Sequence, residues 1–238
     1  MTTTDHPTTT RPDVSPGPGT GSCDPHNRVT KSLLGYGVIA GPFFVVTALV
    51  QALTREGFDL TRHEWSLLAN GSLGWIQIAD FILSGAMTIG FAAGLRRALR
   101  PGRGAIWAPR LFGLYGLGLI GAGLFRADPR LGFPVGTPDG PGVVSWHGTL
   151  HFVTAGIGFV GLVAACFVLG SRFTAEGRPG WAWYPRLTGV VFVTAFGGIA
   201  SGQGSVAINL TFTLAVIAAW AWMSGVALDR YRGVGRDS

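Results

Sequence analysis

Two histidines, His147 and His151, stand four residues apart in the stretch SWHGTLH. On a helix that spacing points both side chains the same way. Such a pair can be a platform for zinc or another divalent metal. It equally suits two histidines bonded to backbone or to acids, and this second reading is preferred. No Glu stands beside the first His, as a metalloprotease helix requires. The residue types that could add ligands are His63, Asp59, Asp80 and Asp128. In a metal-assisted hydrolase, His147 and His151 would hold the ion while an aspartate assists its bound water.

A second constellation is Gln77, Asp80, Ser84 and Thr88. Steps of three and four put them on one helical face, leaving Ile78, Phe81, Ile82 and Ile89 for lipid. An ionisable residue inside an apolar run is costly, and it usually faces protein interior or water. Asp80 is therefore a hydrogen-bond anchor, a partner for an Arg, or a catalytic acid. Asp128 is the other candidate acid, and pairing with Arg55, Arg62 or Arg126 explains it more cheaply. Acid–base chemistry by Asp80 or Asp128 on an isoprenoid-like molecule would need aromatic faces to shelter a developing cation.

The third constellation is a polar stretch between apolar runs, LTREGFDLTRHEWSLLANGSLGWIQIAD, residues 53–80. Its Asp59, Arg62, His63, Asn70 and Gln77, with His147 and His151, are the candidate binding residues. Thr61 and Glu64 have the spacing of a capping box, which predicts a short helix over 62–69 lying at the membrane surface. Asn70-Gly71 is a natural stop. The partner stretch, FRADPRLGFPVGTPDGPGVVSWHG, is punctuated by Pro and Gly and reads as a compact, turn-rich loop. GFDL at 57–60 and GFPV at 132–135 echo each other but are too short to define a repeat.

Six apolar runs must position these groups, at about 33–53, 73–95, 106–125, 147–170, 185–203 and 206–228. Each is near the ~20 residues a spanning helix needs. Only 13% of the 238 residues are charged and 47% are hydrophobic, well short of the charge of a soluble domain. The expected fold is an all-α integral membrane bundle of about six transmembrane helices, with the short interfacial helix in its first outer loop. Residues 1–30 are rich in Thr, Pro, Gly and Ser and are expected to be a disordered cytoplasmic tail. The transmembrane domain is expected over 31–229 and a basic cytoplasmic tail over 230–238. Glycines 113, 116, 118, 121 and 123 in the third run predict close helix packing rather than a nucleotide loop, because no strand precedes them.

The net charge of +6 comes from 18 basic residues, 17 of them Arg, against 12 acidic. They are scattered in short connectors, which argues against a nucleic-acid partner. Arginines dominate the 96–110 and 171–186 connectors and the C-terminal tail, which places these segments in the cytoplasm. The 54–72 and 126–146 connectors then meet on the outer face, with both termini inside the plasma membrane. Trp65, Trp75, Trp107, Trp146, Trp181 and Trp183 fall near run ends, as an interfacial belt would.

The motifs TRxGFDLxRHxxSLLxNGxxGWIQ (Thr54–Gln77), FxADPxxGFPxGTP (Phe125–Pro138) and SWHGxLH (Ser145–His151) resemble the domain-of-unknown-function 998 family of polytopic actinobacterial membrane proteins. The resemblance spans about residues 30–225. It implies a multi-pass fold and transfers no catalytic residue. The functional expectation is an outward-facing polar pocket formed by segments 54–80 and 125–151. It would bind a small or lipophilic molecule, and the bilayer is the other expected partner. The alternative is an integral-membrane enzyme using either chemistry above.

Overall fold

The computed structural model describes residues 25–202 and 205–235. Among them six helices form and no strand does: α1 Pro25–Thr54, α2 Gly74–Ala98, α3 Trp107–Leu124, α4 Trp146–Ala175, α5 Pro179–Ala200 and α6 Val206–Gly233. Four of these, α1, α2, α4 and α6, are long and apolar enough to cross a membrane. Each helix packs on its neighbour in sequence, and α6 returns to α1. The result is a closed ring of six antiparallel neighbours, the arrangement that short connectors enforce.

The outside of the ring is apolar, with Val46, Leu83, Val160, Leu187 and Leu214 all exposed. So wide an apolar surface is a liability in water and matches a lipid environment. Trp75, Trp107, Trp146 and Trp183 are exposed at helix ends, where amphipathic rings suit the membrane boundary. Trp65, Trp220 and Trp222 instead point inward and are almost wholly buried. Phe44 stacks on Trp220 at 4.9 Å, and Tyr115 lies 5.6 Å from the same ring. Aromatic rings thus fill much of the ring's centre.

Glycines let the backbones approach. A Cβ on Gly118 of α3 would lie 2.6 Å from the Gly158 Cα of α4, and one on Gly85 of α2 would lie 2.7 Å from the Gly116 carbonyl of α3. Gly116, Gly118, Gly121 and Gly123 of the third run therefore serve helix packing, as their spacing predicts, whereas a Cβ on Gly113 would meet nothing within 4 Å.

Several boundaries differ from expectation. The first helix starts at Pro25, so residues 25–30 are helical and not part of a disordered tail. Residues 1–24 lie outside the described residues. The sixth helix runs to Gly233 and takes in Arg230 and Arg232, because arginines in a last turn complement the helix dipole. Residues 236–238 of the expected tail, and Gln203 in the α5–α6 turn, are also outside the described residues.

The short helix of the α1–α2 loop is a 3₁₀ segment, Trp65–Ala69, and no capping box forms. The Thr61 amide and hydroxyl both donate to Asp59 Oδ1, at 2.8 and 2.7 Å, so Thr61 closes a turn instead. Glu64 turns away to an ion pair with Arg130 at 2.7 Å. The segment does not lie on the surface. Trp65, Leu67, Leu68 and Ala69 are buried, because four apolar side chains in five residues gain more by plugging the ring than by floating over it.

Candidate functional site

The α1–α2 and α3–α4 loops interlock into a cap over one end of the ring. Its hub is Phe133, buried and edge-on to Phe58 with ring centroids 5.1 Å apart. These are the phenylalanines of the two echoed GF motifs. Gly57 and Gly132, which precede them, both hold positive φ, 80° and 85°, which a Cβ would disfavour. Arg55 lies over the Phe133 ring at 5.0 Å. Its guanidinium donates to the Leu68 and Asn70 carbonyls at 2.5 and 2.6 Å, holding the buried 3₁₀ segment in place. Burial lowers the pKa of Arg55 from its ordinary value.

His63 is buried in the cap. Its Nδ1 accepts from the Asp59 amide at 2.9 Å, so the proton sits on Nε2, which donates to the Leu131 carbonyl at 2.9 Å. Leu131 holds a left-handed conformation, φ 57°, that presents this carbonyl. Asp59 has a lowered pKa, chiefly because the Thr61 side chain and amide bond its carboxylate, with the Arg62 charge adding to the effect. Arg62 pairs with Asp139 of the second loop at 3.0 Å, in an exposed bridge worth little. Asn70 donates to the carbonyls of Leu67 and Ala127, at 3.2 and 3.0 Å, tying the loops together again. Asn209 of α6 donates to Leu60 O at 3.0 Å and anchors the cap to the ring. Arg62, His63 and Asn70 thus tie the first loop to the second, while Asp59 orders the first loop from within.

Among the described residues Asp128 pairs with no arginine. Its carboxylate accepts the Ser145 amide at 2.8 Å and the Ser145 hydroxyl at 2.5 Å. Ser145 in turn caps α4 by accepting from the Gly148 amide at 3.1 Å. A carboxylate at a helix N-terminus is favoured by both the free amides and the dipole. Gly148 leaves the room for it, since a Cβ there would collide with Asp128 Oδ2.

The histidine pair is split in environment. His151 is buried, and its Nδ1 is within 3.0 Å of the Ala122 carbonyl and 2.8 Å of the Phe125 carbonyl, the turn that ends α3. His147 is exposed, with its ring 3.5 Å from that of Trp146. Among the described residues no three His, Cys, Asp or Glu gather where they could hold a metal.

Asp80 lies elsewhere again. Gln77, Asp80, Ser84 and Thr88 are all buried on one face, as their spacing predicts. Gln77 donates to Asp80 Oδ2 at 3.3 Å, Ser84 donates to Oδ1 at 3.2 Å, and Gln51 of α1 donates to Gln77 Oε1 at 2.9 Å. The row is a polar seam between α1 and α2. Phe81, expected to face lipid, is buried against Phe44 at 5.8 Å, because the ring's aromatic centre lies on its side of α2.

Beneath the cap is a cavity of about 410 Å³. Phe81, Tyr115, Phe159, Phe196 and Phe212 form apolar walls from five different elements. Glu64, Trp65, Asp128, Arg130 and His151 contribute at the cap end. Of the nine sequence candidates, Asp128 and His151 line it. Asp59, Arg62, His63, Asn70, Gln77, Asp80 and His147 do not. Two lining residues carry buried polar atoms with no hydrogen-bond partner, Glu64 Oε2 and Trp65 Nε1. Such atoms cost about 1–3 kcal/mol each when left unpaired, so they mark a place where a polar group is wanted. Sequence reading assigned Glu64 to a capping box and Trp65 to an interfacial belt. Nothing in their local spacing shows that they turn inward.

An all-helical membrane protein with a two-loop cap over a walled cavity is the class these features define. The chain belongs to the family described as protein of unknown function (DUF998), whose family model matches residues 38–229. No curated protein and no solved structure matches the chain.

Proposed function

We propose that the ring binds a lipophilic molecule with a small polar head in the cavity beneath the cap. The carrying observation is the coincidence of aromatic walls with the two unpaired atoms of Glu64 and Trp65 at one end. A carboxylate oxygen accepts and an indole N–H donates, so a head group that does both, such as a hydroxyl, satisfies the pair. The volume falls in the usual range of small-molecule sites. The cap lies on the outer face of the plasma membrane and both termini are cytoplasmic, on the arginine bias of the connectors.

Of the enzyme readings, acid–base chemistry would fall to Glu64, the cavity carboxylate with a free oxygen, since Asp80 lies outside and both Asp128 oxygens are held by Ser145, the cap of α4. Among the described residues no donor set supports metal-assisted hydrolysis.

The test is native mass spectrometry of the full chain in neutral detergent, with a long-chain isoprenoid alcohol and the matching hydrocarbon as probes. The wild type should retain the alcohol preferentially. Ala155→Phe, which fills the cavity, should lower occupancy about tenfold, the effect of roughly 1.4 kcal/mol. Glu64→Gln with Trp65→Phe should erase the preference for the alcohol. Equal retention by folded Ala155→Phe protein would overturn the site.

A further inference from the structure

A second cavity, about 750 Å³, opens at the opposite end of the ring, among the last turns of α2, α4 and α6 and the first turns of α1 and α5. Among the described residues six arginines line it against two carboxylates, Glu176 and Asp229. Arg172 and Arg230 hold Glu176 at 2.7 and 2.8 Å. Arg178 grips Asp229 with two bonds, 2.7 and 3.1 Å. Both acids are therefore taken up by three of the arginines. Arg97 donates from Nε only to the neutral Thr30 hydroxyl at 3.0 Å, and Arg232 makes no ion pair among the described residues. Arg230 Nε lies 3.4 Å from Asp229 Oδ2, near enough for attraction but not aligned for a hydrogen bond, and is buried without a partner.

Arginines in last turns complement helix dipoles, and that explains why α2, α4 and α6 carry them. It does not require them to converge on one concave wall, where their mutual repulsion is unfavourable. Arg172 also donates to the Arg100 and Arg103 carbonyls at 3.2 and 3.1 Å, fixing the α2–α3 connector as part of that wall. A wall of forked donors with excess positive charge matches the geometry of phosphate oxygens.

We infer that this cavity binds a phosphate-bearing anion, held by Arg97, Arg230 and Arg232 on a frame set by Arg172, Arg178, Glu176 and Asp229. The phosphate comes either from an anionic lipid headgroup or from a soluble phosphate ester. The site is independent of the cavity beneath the cap.

The full chain in phosphatidylcholine nanodiscs is titrated with inorganic phosphate while the fluorescence of Trp181, a lining residue, is followed. In parallel, discs of equal phosphatidylcholine and phosphatidylglycerol are prepared, and lipid retained after extraction is read by native mass spectrometry. A saturable fluorescence change in the first arm indicates the soluble source. Retained phosphatidylglycerol without that change indicates the lipid. In either case Arg97→Gln with Arg232→Gln should weaken binding about tenfold or more, the scale of a lost charge-assisted bond. Arg110→Gln, at the same end but outside the cavity, should leave it unchanged. Both variants replace exposed side chains, and circular dichroism checks that the helices persist. Failure of both probes, unchanged binding in the double variant, or equal loss in Arg110→Gln would each overturn the assignment.

Discussion

Replacing Arg55 by Ala should release the cap without unfolding the ring. Arg55 makes two short bonds to carbonyls of the plugging segment and lies over Phe133. A hydrogen bond from a charged donor contributes about 1.5–3 kcal/mol. The ring contact adds about 0.5–1 kcal/mol at a partly exposed site. Water entering the vacated space re-satisfies part of what is lost, and partial exposure screens the charge. A net cost of about 3 kcal/mol follows, or on the order of a hundredfold in the opening equilibrium. Hydrogen exchange over residues 62–70 reads this directly, since the Leu67 and Asn70 amides bond within the segment at 3.0 Å each. Amides inside α2 and α4 should keep their protection. Arg55→Lys should restore only part of it, because a single ammonium cannot fork to both carbonyls. Arg126→Ala, at an exposed position in the same cap, serves as the reference and should change little. If Arg55→Ala exchanged within about threefold of wild type, the clamp would not be what holds the plug.

Gly118→Ala should destabilise the ring by about 1–3 kcal/mol, because the atoms its Cβ meets are backbone of α4 and cannot swing aside. Gly113→Ala on the same helix meets nothing within 4 Å and should be neutral or mildly stabilising, so thermal unfolding in detergent should separate the two by sign. For the arginine-rich end, burial alone would raise the pKa of Glu176, but its bonds and charge contacts with Arg230 and Arg172 outweigh that and lower it below 4.5. A depressed folded-state value contributes stability that is full above the unfolded value and is lost as pH falls through the folded one. Melting curves of wild type and Glu176→Gln should therefore differ at pH 7 and converge only as pH falls below 4.5 and through the depressed folded-state value; a constant gap across that window would contradict the pairing.

The polar face of α2 was legible because a helix converts spacing into direction. Gln77, Asp80, Ser84 and Thr88 are buried together for that reason alone. The same logic located the helices, the glycine contacts of α3 and the exposed tryptophans at helix ends. It failed for Thr61 and Glu64, whose capping spacing is satisfied differently. Asp59 offers Thr61 a nearer acceptor, and Arg130, far along the chain, offers Glu64 a charge. Asp128 was misread for a related reason, since its best partner is a helix start rather than an arginine.

What the sequence by itself determined is the class of the protein. Six apolar runs with few charges, short connectors and small residues at close-packing spacing can only be satisfied by helices in a lipid environment, because every backbone group must find its partner locally. What only the tertiary structure decided is which polar residues share a space. Closing the ring from α6 to α1 creates an interior that no single helix possesses. It turned Glu64 and Trp65 inward to one cavity, left Asp80 in a seam between α1 and α2, and gathered arginines from three helices and two connectors around another. Those groupings depend on contacts between residues distant in the chain, and spacing carries no record of them.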